Sequence, residues 1–333
     1  MQGQIYKIYS DSYFVKIGED IMPCKIREVL KKQKLSVVTG DFVEIDNHEV
    51  ITKILPRKSY IRRPAVANVD QIVVVSALKE PKLDFAQLNR YVSLAKYYQI
   101  PVILCFNKED LEHENSLQDR IEQIYGNLGY KTVFTSALEK KGVDYFSKLL
   151  QGKLSALCGN SGVGKSSLIN ALNPNIKLRT QSVSEKLNRG THTTRHCEII
   201  EISKSTRIID TPGFSNLKFD FILPKNVDFL FDEIYQYKDK CKYSDCLHIN
   251  ETGCEVLKNI DNIDYSRYES YLEFVKEAFE YKEHVKYNGV KTETHKKFHN
   301  EKSIVKISDK KRQGGRNTRK QKLYKEFDEH GNE

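Results

Sequence analysis

Leu154-Ser155-Ala156-Leu157-Cys158-Gly159-Asn160-Ser161-Gly162-Val163-Gly164-Lys165-Ser166-Ser167 is the stretch whose reading decides the fold. Leu154 to Cys158 reads as a buried strand. Two glycines with four residues between them then precede Lys-Ser, and a helix is expected to begin near Ser166. A glycine-rich turn between strand and helix lets backbone N–H groups and the positive helix end converge on phosphates. Lys165 is expected to neutralise the β- and γ-phosphates and the Ser166 hydroxyl to ligate magnesium, with nucleotide contacts from Gly159 to Ser167.

Four further elements lie where strands end. Asn107-Lys108-Glu109-Asp110 follows the apolar run Pro101 to Phe106, which places it at the carboxyl edge of a sheet, where ligands of open α/β sheets bind. A carboxylate at Asp110 accepts hydrogen bonds from the ring and exocyclic N–H groups of guanine. Adenine lacks that donor pair and leaves the charge unpaired, at a cost of roughly 1–3 kcal/mol or more. Asn107 is expected to bridge loops, the Lys108 stem to cover the base, and Glu109 to belong to the same nucleotide-binding run. Ser136-Ala137 ends the strand Lys131 to Phe134 and offers a backbone N–H to the guanine carbonyl. Asp210 follows Arg207-Ile208-Ile209 as a carboxylate for magnesium, and the Gly213 N–H is placed to sense the γ-phosphate. In Gly190-Thr191-His192-Thr193-Thr194-Arg195, Thr194 is assigned as the third magnesium ligand, with Thr193 as the alternative.

Together these elements specify hydrolysis of GTP with magnesium. Their order is unusual, because the base-reading elements precede the phosphate loop. A circular permutation explains this, and folds tolerate permutation when their termini lie close together.

Outward from this core the grammar changes twice. Residues 1–63 show short β-branched runs with alternation, such as Tyr13, Val15 and Ile17, broken by turns such as Gly40-Asp41. This predicts a small β-barrel of the oligonucleotide-binding (OB) type, although a sandwich or SH3-like barrel gives much the same string. Residues 64–222 alternate continuous apolar runs with helical stretches, which predicts a parallel sheet covered by helices. In residues 223–287, Tyr268, Tyr271, Leu272, Val275, Ala278 and Phe279 fall at helical spacing. Residues 288–333 form a basic extension.

The chain of 333 residues has seven cysteines, at 24, 105, 158, 197, 241, 246 and 254. Cys241, Cys246, His248 and Cys254 supply three thiolates and one imidazole, a complete tetrahedral set for one structural zinc ion with no open position for a reactive water. There are 54 basic and 45 acidic side chains, and Lys310 to Lys325 alone holds eight basic and no acidic residues. The basic surplus therefore belongs to the tail, which suits a polyanion such as RNA. No run of about 18 apolar residues occurs and no cationic start leads into an apolar stretch, so a cytoplasmic protein without membrane contact is expected.

The order Asn107-Lys108-Glu109-Asp110, Ser136-Ala137, Gly159 to Ser166, Gly190 to His196 and Asp210 to Phe214, flanked by a barrel and a zinc cluster, resembles the circularly permuted ribosome-biogenesis GTPases of the RsgA type (YjeQ/YloQ). The resemblance covers about residues 1 to 285. It implies an N-terminal OB-fold barrel, a permuted GTPase domain and a small C-terminal zinc-binding α domain. It also implies a partnership with the small ribosomal subunit and its rRNA, GTP hydrolysis stimulated there, and a role in late subunit maturation and release of an assembly factor. Phe214 stands where many GTPases carry a water-orienting glutamine, so the unassisted rate is expected at or below roughly 10⁻³ per second. His192 is the candidate catalytic group that orients water, and an RNA-contacting histidine is the alternative. The expected state is a monomer. Two other readings are a GTP-regulated RNA-binding assembly scaffold with incidental hydrolysis and an enzyme of unrelated substrate, such as a tRNA-modification GTPase.

Overall fold

The computed structural model describes residues 1–32, 36–112, 116–178, 197–211, 219 and 221–288. All of them belong to one compact unit, Met1–Lys291. His192, Thr193, Thr194, Gly213, Phe214 and the basic stretch 310–325 lie outside the described residues.

The N-terminal strands are β1 (Gln2–Tyr9), β2 (Ser12–Ile17), β3 (Asp20–Ile26), β4 (Phe42–Ile45) and β5 (Val50–Ile54), with a short helix α1 (Glu28–Lys32) between β3 and β4. They pair in the order β1-β2-β3-β5-β4, and β4 returns to β1. The closure makes this a five-stranded barrel of the OB type and rules out a two-sheet sandwich. Alternation holds where the pleat demands it: Ile5, Val15, Val43 and Ile51 are fully buried and form the barrel core with Cys24, Ile26 and Ile45. Asp41, in the predicted turn, is itself buried and paired with Arg57 at 2.6 and 2.8 Å.

A small hairpin, β6 (Tyr60–Ile61) with β7 (Val66–Ala67), leads into the central sheet. Its strands are β8 (Gln71–Ala77), β9 (Val102–Asn107), β10 (Lys131–Phe134), β11 (Leu154–Cys158), β12 (Glu198–Glu201) and β13 (Arg207–Asp210). Helices α2 (Phe85–Tyr97), α3 (Ser116–Ile121), α4 (Val143–Leu150) and α5 (Lys165–Leu172) alternate with them. Successive residues of one strand enter opposite cores: Ile72 and Val74 face one, Val73 and Val75 the other. Burial on both faces is why these strands read as unbroken apolar runs. Burying each such side chain contributes about 1.5–3 kcal/mol. The start of α2 is set by Asp84, whose carboxylate accepts the Gln87 N–H at 3.1 Å.

The sheet order is β10-β9-β8-β11-β13-β12, and β11 lies parallel to both β8 and β13. The early strands and the later strands thus meet along one seam, with Ala156 opposite Ile72. One expectation needs correction: the sheet is not wholly parallel, because β12 runs antiparallel to β13. The two are joined by a tight turn closed by the Ile202 N–H to the Thr206 carbonyl at 2.9 Å, and so short a connection permits only antiparallel pairing. On its other edge β12 pairs with β1, Lys7 opposite Glu198, so barrel and central sheet form a single eleven-stranded sheet. The join is reinforced by ion pairs Lys7–Glu198 at 2.9 Å and Lys16–Glu201, and by the Tyr6 hydroxyl donating to Glu201 at 2.7 Å.

The C-terminal part consists of short 3-10 turns, α6 (Asp232–Tyr235), α7 (Glu255–Lys258) and the long α8 (Tyr265–Asn288). Its apolar core includes Phe219, Phe231, Tyr271, Phe274 and Ala278. Arg267 on α8 is buried, paired with Glu233 at 2.6 Å, and donates to Asn89 of α2 at 3.1 Å. Next to it on α2, Arg90 reaches Glu277 of α8 at 2.9 Å. Removing one member of such a pair strands the other charge away from water. Arg267→Met should therefore destabilise the protein by about 3–5 kcal/mol in urea unfolding, and Arg267→Met with Glu233→Met should recover most of the loss. Equal midpoints for Arg267→Met and the parent would contradict this account.

Candidate functional site

Because β8, β9, β10, β11 and β13 run parallel, their carboxyl ends share one edge of the sheet, and the four described motifs all lie there. Asn107, the last residue of β9, is buried. Its Nδ2 donates to the Val163 carbonyl at 2.9 Å, and its Oδ1 accepts the Ala137 N–H at 3.1 Å and the Thr135 hydroxyl at 3.3 Å. One amide thus ties the base-reading strand to the phosphate loop and to Ser136-Ala137, the bridging role its sequence position suggested.

The glycines of the phosphate loop follow from this closeness. Gly164 has φ +97°, and a Cβ there would lie 2.2 Å from Asn107 Nδ2. Gly159 has φ +140°, and a Cβ there would lie 2.0 Å from the Val75 carbonyl oxygen. Neither position admits a side chain. The loop opens into α5, whose first residue is Lys165; Ser166 and Ser167 follow in its first turn. The Lys165 ammonium rests on the carbonyls of Gly159 at 2.7 Å and Asn160 at 2.9 Å. Asn160 Oδ1 accepts the Tyr91 hydroxyl of α2 at 3.2 Å, Ser161 is exposed and Gly162 has φ +83°.

Between the two halves lies a cleft of about 520 Å³, lined by Asn107, Lys108, Asp110, Ala137, Gly164 and Ser167 among others. That volume is in the range of small-molecule sites. Lys108, at φ +63°, lines it, and its ammonium reaches the Glu80 carbonyl. Two residues of the same motifs are occupied elsewhere. The Glu109 carboxylate pairs with Lys141 at 2.9 Å, and the buried Ser136 hydroxyl accepts the Glu139 N–H at 3.1 Å. The expectation that Ser136-Ala137 offers a backbone N–H to the guanine carbonyl needs correction, because both N–H groups are already engaged, Ser136 by the Lys141 carbonyl at 3.0 Å and Ala137 by Asn107. The sequence reading missed Leu111, Leu138, Lys140, Asn170 and Ala171 on the cleft wall. For Asn170 and Ala171 a signal existed: with Ser167 they fall at i, i+3, i+4 on α5, one helix face.

Asp210 ends β13 opposite Leu157 of β11, the strand that feeds the phosphate loop. Burial lifts its carboxyl above the ordinary range, opposed by nearby Lys165 and reinforced by Glu198. A divalent cation beside this carboxylate would offset that cost. Thr211 secures the corner by donating its hydroxyl to the Leu157 carbonyl.

The donor atoms of Cys241, Cys246, His248 and Cys254 all lie within 4.8 Å of one another. Tetrahedral zinc with bonds near 2.3 Å sets its sulfurs about 3.8 Å apart, so the set fits that ion. His248 Nδ1 faces the thiols, 3.6 Å from Cys241 Sγ and 3.5 Å from Cys254 Sγ. Burial pushes the Cys246 thiol up to about 12 and raises Cys254 as well, so a metal must displace protons to enter. The loop is held by Tyr268 and Tyr271 of α8, which donate to the carbonyls of His248 and Leu247 at 2.8 and 2.7 Å.

Gly164→Ala should destabilise the nucleotide-free protein by about 1–3 kcal/mol in urea unfolding, because the new methyl displaces the Asn107 amide from its buried partners. Stability equal to the parent would contradict the bridge.

Two family models match the chain: the RsgA N-terminal domain over residues 2–51 and the RsgA GTPase over residues 54–220. The protein named small ribosomal subunit biogenesis GTPase RsgA from Clostridium acetobutylicum is 40% identical over 278 residues, which covers 82% of this chain and 96% of that one. The protein of the same name from Caldanaerobacter subterraneus subsp. tengcongensis is 37% identical over 287 residues, with 84% and 96% covered. Among solved structures, YjeQ from Thermotoga maritima matches with a TM-score of 0.71 and 34% identity over 84% of this chain and 98% of that one. YloQ, described as a circularly permuted GTPase, matches with a TM-score of 0.67 and 30% identity over 84% and 95%. Coverage, identity and motif order agree, and the chain belongs to the RsgA GTPase family.

Proposed function

We propose that this protein is a GTPase of small-ribosomal-subunit biogenesis, binding guanine nucleotide in the cleft where the two halves of the permuted sheet meet. The observation that carries the reading is the Asn107 bridge, which holds Asp110 and Ala137 on one wall and the phosphate loop on the other around a cleft of about 520 Å³. The relatives' shared name supports the biological role.

In this reading Asp110 takes the two N–H groups of guanine, and the Ala137 N–H, already engaged by Asn107, holds the wall against which the base lies. Residues Gly159 to Ser167 wrap the phosphates with backbone N–H groups. Lys165 leaves its two carbonyl partners for the β- and γ-phosphates. Ser166 and Asp210 hold magnesium, which supplies charge neutralisation on the phosphates; Thr194, Gly213 and His192 are assigned to the switches by sequence alone. The zinc centre folds the C-terminal part. The proposed division is a barrel at 1–63, a GTPase domain at 64–222, a zinc-binding domain at 223–287 and a basic extension at 288–333. Barrel, zinc domain and tail would meet rRNA chiefly through phosphates. Among the described residues no helix is long and apolar enough to cross a membrane. A cytoplasmic monomer acting at the ribosome is part of the proposal and rests on the role named for the relatives.

Asp110→Asn should weaken GDP binding in calorimetry by roughly tenfold to a hundredfold, since a charged hydrogen bond contributes about 1.5–3 kcal/mol. ADP affinity should stay negligible in both proteins; ADP bound as tightly as GDP would refute guanine selection. Multiple-turnover assays should give at most roughly 10⁻³ per second unaided and a large rise with small subunits only. His192→Ala should abolish that rise. Equal stimulation by large subunits or free RNA would contradict the assigned partner, and full stimulation of His192→Ala would remove that residue from catalysis.

A further inference from the structure

The zinc centre has an outer layer that its four ligands do not account for. His248 is fully buried, and its two ring nitrogens face different things. Nδ1 points at the thiols of Cys241 and Cys254, whereas Nε2 has no hydrogen-bond partner and lies 3.8 Å from Asp228 Oδ2. Asp228 is equally buried, in a 3-10 turn (Asp228–Leu230). Its other oxygen accepts the Phe229 N–H at 2.8 Å, and the Lys238 ammonium pairs with Oδ2 at 2.8 Å.

A buried carboxylate is expensive unless it is paired and hydrogen-bonded. Lys238 and the Phe229 amide meet part of that need, but neither explains why the carboxylate is aimed at an imidazole edge that also lacks a partner. A histidine that binds a metal through one nitrogen carries its remaining proton on the other, and that N–H needs an acceptor. Asp228 is the carboxylate that His248 Nε2 faces.

We propose that Asp228 is the outer-sphere carboxylate of this zinc centre, accepting the His248 Nε2–H and so fixing Nδ1 as the ligand atom. It is a positioning residue: it touches neither zinc nor nucleotide. The arrangement also ties the metal to the helical core, because Asp228 sits between Val227 and Leu230, both fully buried in the C-terminal apolar cluster. Lys238, in the short turn Lys238–Lys240 just before Cys241, completes the chain of charge from the surface to the imidazole. The inference rests on the zinc reading of the four ligands, and the test separates the two.

The full-length protein and its Asp228→Ala and Asp228→Asn variants are titrated with zinc against a chromophoric chelator. Outer-sphere partners of metal-bound histidines typically contribute 10–100-fold to metal affinity. Asp228→Ala should therefore bind zinc 10–100-fold more weakly than the parent, and Asp228→Asn, which keeps an acceptor oxygen, should lose less. In the zinc-loaded parent, ¹⁵N spectra of the histidines should show His248 protonated at Nε2, with an amide-like proton protected from exchange; in Asp228→Asn that proton should exchange faster. If Asp228→Ala does not fold, Asp228→Asn and the proton exchange decide the matter. Superimposable competition curves for parent and variants, or an unprotonated Nε2, would overturn the role of Asp228 alone. A parent that takes up no zinc would overturn the metal reading itself.

Discussion

The structure depends on one buried carboxamide. Asn107 donates to the phosphate loop and accepts from the loop after β10, so the two segments of a permuted chain are fixed to each other by hydrogen bonds shielded from water. Such bonds contribute individually only about 1 kcal/mol, but a buried polar group left unpaired costs more than a made bond yields. That asymmetry makes the bridge all-or-none. It also explains Gly164 as a consequence: the amide approaches so closely that no Cβ fits. The chain links the two segments through α4, between β10 and β11, and the β8–β11 seam and the Asn107 bridge fix how they meet.

Permutation also decides what hangs on the GTPase core. The barrel joins the edge strand β12 by main-chain pairing and by Lys7, Tyr6 and Lys16, while the helical C-terminal part is locked to α2 by Asn89 and Arg90. The next residue on α2, Tyr91, reaches Asn160 in the phosphate loop. Three consecutive residues of one helix therefore contact both the nucleotide loop and the zinc-bearing part. The pairs that lock the C-terminal part, Arg267–Glu233 and Arg90–Glu277, are buried or nearly so, whereas Lys7–Glu198 and Lys16–Glu201 at the barrel join involve exposed carboxylates and add little beside the main-chain pairing.

Much of this was legible in the sequence, for identifiable reasons. Leu154 to Cys158 is a strand with the bounds its composition suggests, because a strand buried on both faces admits only apolar or small residues, and the edge strand Lys131 to Phe134 also has its expected bounds although only Val133 is fully buried. The phosphate loop was legible because its glycines answer to close backbone approach, and the metal ligands because their donor chemistry is nearly unique. The antiparallel turn of β12 was not, since a four-residue strand carries no mark of direction. The buried Arg267–Glu233 pair was not either: charged residues at helical spacing ordinarily read as a solvated face, and only tertiary packing turned this one inward. Nor was the fate of two motif groups legible: the Glu109 carboxylate turns to Lys141, and the Ser136 and Ala137 N–H groups are taken by the Lys141 carbonyl and Asn107, because a motif names neighbours without saying which of their polar groups the fold itself consumes.

The central claim is that one guanosine pocket is assembled from both halves of the rearranged chain. Hydrogen exchange of the backbone amides with and without GDP and magnesium tests it most directly. The account predicts that protection appears in 107–110 and 135–137 and in 159–167 together, with the same dependence on GDP concentration. Protection confined to one of these halves, or two different concentration dependences, would contradict a shared pocket.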